Sequence, residues 1–386
     1  MKILLSVTDS KMGGVTSAAV NFCNEMARRG HEICFLDMSA ENLCKDELHQ
    51  NVRLGCLRGR SVHWNLSAER LKKSKGLKKL GLYILGTIKK ITIRSGLWFR
   101  FIFGKYKEFG KFDVAIAFRQ CAPCYSFVLH KVKAKKKMGF VHGELKYMGN
   151  IQSWQKYMRK FDKIAYVSNA VREEFVTVYP ELKTNACTIY NMFDIEKIKR
   201  MSEEKNPCNF DKSKKNIVTV ARLDNEFKQI DWIPRICKKL KENEAPLFHW
   251  YVVGDGSDYD KVQALIQDTH TEDVLTLVGV KKNPYCILKD ADLSVLTSKS
   301  EAYPMVVIET FILKVPLVTT EFGSIREMMR EGREGFVARQ NENDLVRYIF
   351  HMLRDEDSCY SNCQKHLSEL EISNEHSVGQ FFQSLS

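Results

Sequence analysis

The chain has 386 residues, of which 44% are hydrophobic and 28% charged, and its formal net charge is +13 at pH 7. This length is long for one hydrophobic core and suits two domains. The composition excludes a disordered chain. No apolar stretch of this sequence reaches the roughly 20 residues that a membrane-spanning helix requires.

The cysteines and the first residues indicate the compartment. Twelve cysteines are scattered without a framework spacing, which is typical of free thiols in a reducing cytosol. The opening run MKILLSVTDSKMGG is apolar only briefly and ends in polar residues. We therefore predict that it forms a first strand and is not a signal peptide.

The positive charge is concentrated between Arg70 and Lys111, where thirteen Lys or Arg residues accompany one acid, Glu108. Apolar residues at helical spacing and an aromatic run at 97–103 are interleaved with them. This pattern is typical of an interfacial helix whose basic face meets anionic lipid headgroups. A helix packed on its own domain is the alternative, and a nucleic-acid partner is not expected because no binding motif is present.

Strand-like and helix-like segments alternate along the chain. The first strand KILLSVT is followed by Lys11-Met12-Gly13-Gly14 and by a helix, VTSAAVNFCNEMARRG, with apolar residues every three or four positions. The next strand-like segments are HEICFLD, DVAIAF, KKMGFVHG, KIAYVS and CTIYNMFD. After the polar stretch MSEEKNPCNFDKSKKN the pattern restarts with NIVTVARL, FHWYVVGDG, LTLVGV, LSVLTS, VPLVTT and GFVAR.

This alternation predicts an α/β fold with two doubly wound, Rossmann-like domains, each a parallel sheet covered by helices. We expect an N-terminal domain at 1–195 and a C-terminal domain at 196–369. Apolar residues in SVGQFFQSLS suggest that a last helix, at about 370–386, packs back on the first domain. Ligands bind at the carboxyl ends of the strands in such sheets, so two facing sheets would form a cleft between the domains.

Several strand ends carry residues suited to an anion. Arg222 and Lys228 follow NIVTV, and together they could clamp a diphosphate, although either alone could be an ordinary surface base. Gly13 and Gly14 would let the backbone approach an anion at a helix N-terminus, but two adjacent glycines are weak evidence. Gly254 in VVGDG could admit a nucleotide, and a tight turn explains it equally well.

A pair of glutamates gives the most specific signal. Glu301 and Glu309 are separated by seven residues in the run EAYPMVVIET, directly after the strand LSVLTS. Pro304 suits a helix start, which places Glu301 before the helix and Glu309 inside it. The free N–H groups around the helix start suit a phosphate. Donor-binding residues are therefore expected along the segment that consists of Tyr303, Pro304, Met305 and Val306.

The order of these segments resembles the GT-B retaining glycosyltransferases of family 4 along nearly the whole chain. The segments that carry the resemblance are the glycine loop, VHG, YVSNAVREEF, IYNMFD, VARL with the lysine beyond it, VVGDG, E-x7-E and FGSIREMMREGREGF. The resemblance implies that Arg222 and Lys228 hold the donor diphosphate, Glu309 the ribose and Glu301 the transferred sugar. It also implies that His142 contacts the sugar, and we expect His142, Glu301, Arg222 and Lys228 to be catalytic.

The chain departs from this family pattern at five positions. Ala221 and Gln229 replace glycines that are usual around the Arg and the Lys, and Lys314 replaces the glycine that normally ends the E-x7-E helix. Tyr303 and Arg326 also differ from the usual residues. None of these departures removes a charged group from the expected donor site.

We therefore predict a retaining hexosyltransferase in the cytoplasm, peripheral at the inner face of the cell membrane. The donor is expected to be a nucleotide sugar, with a UDP-sugar favoured over a GDP-sugar. No separate cofactor is expected, and no metal, because no Asp-x-Asp cluster follows a strand. The acceptor is expected to be a glycan or a lipid-linked precursor in bacterial surface polysaccharide synthesis.

Two other functions fit the same sequence. A catalytically silent GT-B subunit could bind a partner transferase, although the intact charged groups argue against it. A nucleotide-sugar epimerase of similar fold would convert its substrate without any acceptor.

The basic segment gives a prediction that can be tested directly. Replacing several lysines between Lys72 and Lys90 should abolish binding to vesicles that contain anionic phospholipid, because the attraction to the headgroups comes from these charges. Co-sedimentation measures the binding, and neutral phosphatidylcholine vesicles serve as the control. Unchanged binding to the anionic vesicles would contradict the membrane hypothesis.

Overall fold

The computed structural model describes residues 1–8, 13–38, 44–56, 109–149 and 151–386. The basic segment lies outside these ranges up to residue 108, and so does the helix predicted there. Among the described residues, each helix is too short or too polar to be a candidate membrane span. The chain divides into two compact units, Met1–Met192 with Ser377–Ser386, and Phe193–His376.

The described residues of the first unit form a parallel sheet of seven strands. These are Lys2–Val7 (β1), Glu32–Asp37 (β2), Val52–Cys56 (β3), Phe109–Ala117 (β4), Val132–Val141 (β5), Lys163–Tyr166 (β6) and Ala186–Thr188 (β7). Their order in the sheet is β3-β2-β1-β4-β5-β6-β7. The described helices of this part of the chain are Gly14–Arg28 (α1), Ala122–Lys131 (α2), Gln155–Met158 (α3) and Asn169–Val178 (α4).

The second unit has a parallel sheet of six strands. These are Lys215–Val220 (β8), Phe248–Val253 (β9), Leu275–Gly279 (β10), Leu293–Leu296 (β11), Leu317–Thr320 (β12) and Gly335–Ala338 (β13). Their order is β10-β9-β8-β11-β12-β13, so β8 and β11 are neighbours. The helices are Ile195–Ser202 (α5), Asn225–Lys228 (α6), Trp232–Glu242 (α7), Tyr259–Asp268 (α8), Tyr285–Lys289 (α9), Met305–Ile312 (α10), Ile325–Met328 (α11), Glu342–Arg354 (α12) and Cys359–Glu369 (α13).

The last helix, Glu375–Leu385 (α14), packs on the first unit. Phe381 is fully buried there, with its ring centroid 5.1 Å from that of Phe22. Residues 370–376, which include the first two residues of α14, belong to the second unit. The reason is visible at Asn374, whose side chain accepts a hydrogen bond from the Phe193 N–H at 2.9 Å and donates one to the Phe193 carbonyl at 2.8 Å.

The two parallel sheets confirm the predicted fold class, α/β with two Rossmann-like units. The strand-like segments named from the sequence all form strands, because parallel strands buried on both faces read as continuous apolar runs. The strand β3 was not predicted. Its sequence, VRLGC, is short and is interrupted by an arginine and a glycine, so it carries no apolar run.

Candidate functional site

The candidate site lies at the carboxyl edge of the second sheet, in the loops that follow β8 and β11. Lys228, at the end of α6, forms an ion pair with Oε1 of Glu301. The same carboxylate oxygen accepts a hydrogen bond from Ser298 Oγ at 2.8 Å. The two charged side chains retain 21% and 12% of their exposure, so the pair is largely shielded from solvent. Its energy is therefore less screened than that of a surface pair.

Backbone contacts hold these two loops together around the ion pair. Thr297 Oγ1 donates a hydrogen bond to the Lys228 carbonyl at 2.6 Å, and the Lys299 N–H donates to the Phe227 carbonyl at 2.8 Å. Ser324, in the loop after β12, donates to the Glu301 carbonyl at 3.3 Å. The position of Glu301 relative to Lys228 is thus fixed by three strand-end loops and not only by the attraction of the charges.

Arg222, the second predicted cation, lies two residues beyond β8. Its side chain is 65% exposed and forms an ion pair with Asp224 at 2.7 Å. The other oxygen of Asp224 accepts from the Glu226 N–H at 3.1 Å and caps the short helix α6. Each predicted cation therefore has its own acid in this structure, and an incoming diphosphate would have to compete with both acids.

The E-x7-E run takes the predicted arrangement. Glu301 lies in the loop before α10, Pro304 is the N-cap residue of this helix, and Glu309 is inside it. The first helical residue, Met305, is buried, whereas Tyr303 and Val306 are half-buried. The start of α10 thus presents the backbone N–H groups of its first turn to the same edge of the sheet.

Glu309 sits in a different environment from Glu301. The Tyr285 hydroxyl donates a hydrogen bond to its Oε1 at 3.2 Å. Burial raises the pKa of Glu309 to about 7, and the Tyr285 hydrogen bond and the charge of Lys197 oppose this rise. A carboxyl group in this state is neutral in slightly acidic solution, and it can accept hydrogen bonds from a ligand as an anion at higher pH.

The glycines of VVGDG have a packing role. A Cβ atom at Gly254 would lie 1.9 Å from the Ala221 carbonyl oxygen, and one at Gly256 would lie 2.2 Å from the Leu223 carbonyl oxygen. These contacts are far closer than any real side chain tolerates, so glycine is required for the loop after β9 to approach the loop that carries Arg222. A contact between Gly254 and the donor stays a prediction.

Two of the departures from the family pattern fall on left-handed backbone. Gln229 has φ 47° and Lys314 has φ 63°, and each follows the helix that carries a charged site residue. Glycine adopts this conformation without strain, whereas other residues do so at a cost of about 1–2 kcal/mol. At Lys314 a hydrogen bond from Nζ to the Leu370 carbonyl offsets part of that cost.

The remaining predicted residues lie in the first unit. Gly13 and Gly14 begin α1, and a Cβ atom at either would meet no atom within 4 Å among the described residues. His142 follows β5, and its ring lies 4.5 Å from the Phe118 ring and 5.7 Å from the Phe140 ring, centroid to centroid. Burial lowers the pKa of His142 to about 3, so the imidazole is neutral at physiological pH.

The acids of the site are each engaged with their own partners. Glu301 pairs with Lys228, Asp224 with Arg222, and Glu309 accepts from Tyr285. Within the described ranges, no group of three or more His, Cys, Asp or Glu residues could hold a metal ion.

Sequence reasoning missed three residues of this site. Ser298 and Asp224 lie next to the predicted residues at strand ends, and that proximity was the signal that could have found them. Tyr285 is 24 residues from Glu309, and no sequence pattern links the two.

Comparison with known proteins places the site within a matched region. Residues 201–368 match the family model described as Glycosyl transferases group 1. The N-acetyl-alpha-D-glucosaminyl L-malate synthase of Bacillus anthracis is 25% identical over 174 residues, which are 44% of this chain and 45% of that protein. The poly(ribitol-phosphate) alpha-N-acetylglucosaminyltransferase of Staphylococcus aureus is 28% identical over 176 residues, 44% of this chain and 35% of that protein. The chain thus matches less than half the length of these relatives.

Solved structures extend the likeness to the whole fold. The structure of Anabaena Alr3699/HepE in complex with UDP-glucose has a TM-score of 0.68 at 17% identity and covers 100% of this chain and 99% of that chain. At this identity the likeness concerns the fold alone. Together the matches show that residues 201–368 are similar to the group 1 glycosyl transferases and that the chain shares its fold with a solved structure.

The pKa of Glu309 generates a prediction about stability. The folded chain keeps this carboxyl protonated up to about pH 7, whereas the unfolded chain releases the proton near the ordinary glutamate pKa of 4.5. Its contribution to the free energy of unfolding is therefore fully present below pH 4.5 and is lost as the pH rises through 7. Glu309→Gln keeps an acceptor for Tyr285 but has no carboxyl group to ionise, so its free energy of unfolding does not fall in this pH range. The variant should therefore be more stable than wild type at pH 8 by about 1–3 kcal/mol.

Urea denaturation at pH 5 and pH 8 measures the difference. Glu272→Gln, at an exposed position of the same unit, controls for the loss of one negative charge. A Glu309→Gln variant that gains no stability at pH 8 relative to pH 5 would show that burial does not hold this carboxyl neutral.

Proposed function

We propose that the chain transfers a hexose from a nucleoside diphosphate sugar to a hydroxyl acceptor, with retention of anomeric configuration. One observation carries this proposal. Lys228 and Glu301 are held together, with Arg222 in the same strand-end loop as Lys228, at the carboxyl edge of a parallel sheet. Two cations can bind a diphosphate, and a fixed carboxylate can accept hydrogen bonds from sugar hydroxyls. The same edge of the sheet therefore has groups for both the diphosphate and the sugar of a nucleotide sugar.

The comparisons support this reading of the site. The region that matches Glycosyl transferases group 1 contains both cations and both acids. The named relatives are a glucosaminyl L-malate synthase and a poly(ribitol-phosphate) glucosaminyltransferase, and a protein of like fold binds UDP-glucose. The resemblance to the retaining enzymes of family 4 supports retention, and the same likeness favours a UDP-sugar.

In this proposal the donor exchanges partners with the acids of the free protein. Its diphosphate replaces Asp224 as the partner of the Arg222 guanidinium. It also binds the Lys228 ammonium, which is paired with Glu301 in the free protein. The N–H groups at the start of α10 add further donors, from Met305 and Val306. Glu309, as an anion, accepts the ribose hydroxyls, and Glu301 accepts hydroxyls of the hexose.

The bond changes follow from these contacts. The bond between the anomeric carbon and the β-phosphate oxygen breaks, and the acceptor oxygen bonds to the same carbon from the same face. The acceptor proton passes to the departing phosphate, and the products are a glycoside and a nucleoside diphosphate. Arg222 and Lys228 stabilise the charge that grows on the phosphate, which is where fixed cations lower a barrier most. Proton NMR of the product anomer tests retention.

We further propose that the acceptor is a membrane-associated glycan precursor in bacterial surface polysaccharide synthesis and that the chain acts at the cytoplasmic face of the membrane. The basic segment supports this, and so does the exposed Lys111 at its described end. Lys111 lies beside the exposed Lys133 of the neighbouring strand β5. The vesicle experiment described above tests this part.

The donor site can be tested by calorimetry. We expect one nucleotide among UDP, GDP, ADP and CMP, or one of their sugar conjugates, to bind wild type. Arg222→Ala should weaken that binding about 10- to 100-fold, because a charge-assisted hydrogen bond contributes roughly 1.5–3 kcal/mol. Arg347→Ala is the matched control, since Arg347 is 51% exposed and pairs with Asp344 at 2.9 Å, much as Arg222 pairs with Asp224.

The two variants separate the possible outcomes. Equal affinity in Arg222→Ala and wild type would remove Arg222 from the donor site. A folded wild type that binds no nucleotide of the panel would contradict the proposed transferase and favour a non-catalytic subunit.

A further inference from the structure

Two buried polar atoms lie at the carboxyl edge of the first sheet. Nε2 of His142 and Oε1 of Gln120 are both buried and have no hydrogen-bond partner among the described residues. A buried polar atom without a partner is costly, by about 1–3 kcal/mol, so such atoms are rare unless a ligand or water satisfies them. Gln120 and His142 follow two neighbouring strands, so both atoms lie at one end of the sheet and are candidates for a single ligand.

The ends of two neighbouring strands bring these two residues close together. β4 and β5 are neighbours and end at Ala117 and Val141. Gln120 lies three residues beyond the end of β4, and His142 directly follows β5. A Cβ atom built on Gly143, the residue after His142, would lie 3.6 Å from Nε2 of Gln120. The amide of Gln120 therefore lies against the backbone that carries the histidine.

Both orphaned atoms are hydrogen-bond acceptors. The His142 ring bonds the Phe118 backbone, and since Nε2 has no partner that bond comes from Nδ1. A neutral imidazole has one N–H, so Nε2 offers a lone pair. Oε1 of Gln120 is a carbonyl oxygen and also offers lone pairs only. The ligand of this pair must therefore donate two hydrogen bonds.

The positive charge of Arg119 determines which kind of hydrogen-bond donor can bind here. The positive charge of Arg119 acts on His142 and lowers its pKa further, so an ammonium group would be repelled there. Hydroxyl groups donate hydrogen bonds without a positive charge. The rings of Phe118 and Phe140 fix the imidazole in place, so Nε2 keeps its direction without a ligand.

We propose that Gln120 and His142 together form a sugar-recognition site of the first unit, in which Oε1 of Gln120 and Nε2 of His142 accept hydrogen bonds from two hydroxyl groups of a hexose. The contact of His142 with the sugar is implied by the family resemblance. Gln120 is added to it as a specificity-determining residue, and this addition rests on the proposed function. The hexose is either the one carried by the donor or one belonging to the acceptor.

The first arm tests the donor sugar. Calorimetry compares UDP with UDP-glucose for wild type, Gln120→Leu, Gln120→Glu and Gln155→Leu. If the donor hexose occupies the site, Gln120→Leu weakens UDP-glucose about five- to tenfold, the value of one neutral hydrogen bond, and leaves UDP unchanged. Gln120→Glu keeps acceptor oxygens and should retain part of the affinity. Gln155, half-buried at the start of α3, controls for a Gln→Leu change in the same unit.

The second arm tests the acceptor sugar and needs no nucleotide. Nitrogen-15 NMR of the labelled histidines follows Nε2 of His142 while methyl α-glucoside, methyl α-galactoside and methyl N-acetyl-α-glucosaminide are added. An acceptor hexose in the site shifts the His142 resonance in wild type and in Gln155→Leu, and Gln120→Leu weakens this response about five- to tenfold.

The two arms also separate this inference from the proposed transferase. A response in either arm that depends on Gln120 supports the site, whether or not UDP binds. No dependence on Gln120 in both arms would overturn it, even if UDP-glucose binds tightly and is turned over. The Gln120→Glu variant guards against misfolding, since a folded protein that keeps the acceptor oxygens should still respond.

Discussion

The ion pair between Lys228 and Glu301 is the constraint on which the candidate site depends. It joins the loop after β8 to the loop after β11. A hydrogen bond from Thr297 connects the same two loops, and one from Ser324 ties Glu301 to the loop after β12. A lysine placed for a phosphate would otherwise be a largely buried cation without compensation, which is costly. The carboxylate that compensates it in the free protein is also the group proposed to bind the sugar. One contact thus serves both the stability of the empty site and the recognition of the donor.

The backbone around this pair shows which deviations from family pattern the fold tolerates. Gly254 and Gly256 cannot be replaced, because their Cα atoms pack directly on carbonyl groups of the loop that carries Arg222. Gln229 and Lys314 occupy left-handed backbone that glycine would adopt more easily. Glycine is therefore present where a side chain would clash with another backbone segment. It is replaced where a side chain causes only local strain, which costs less than such a clash.

Much of the fold followed from the sequence because buried parallel strands read as apolar runs, as NIVTV and LSVLT do. The positions of Glu301 before α10 and Glu309 inside it also followed, since Pro304 marks the helix start. Tertiary contacts could not be predicted in the same way. Nothing in the chain order links Tyr285 to Glu309, and Gln120 belongs to no motif. Gln120 becomes notable only because the fold places its amide near Gly143, beside His142, and leaves its carbonyl oxygen without a partner among the described residues.

The roles given to Lys228 and Glu301 are tested most directly by measuring how Glu301→Gln changes the affinities for UDP and for UDP-glucose in one calorimetric series. We expect UDP to bind the variant as tightly as wild type or more tightly, because Lys228 loses its competing carboxylate. We also expect the preference for UDP-glucose over UDP to fall about tenfold, because the sugar loses a charged acceptor. An equal loss of affinity for both ligands would mean that Glu301 supports the loop and does not recognise the sugar.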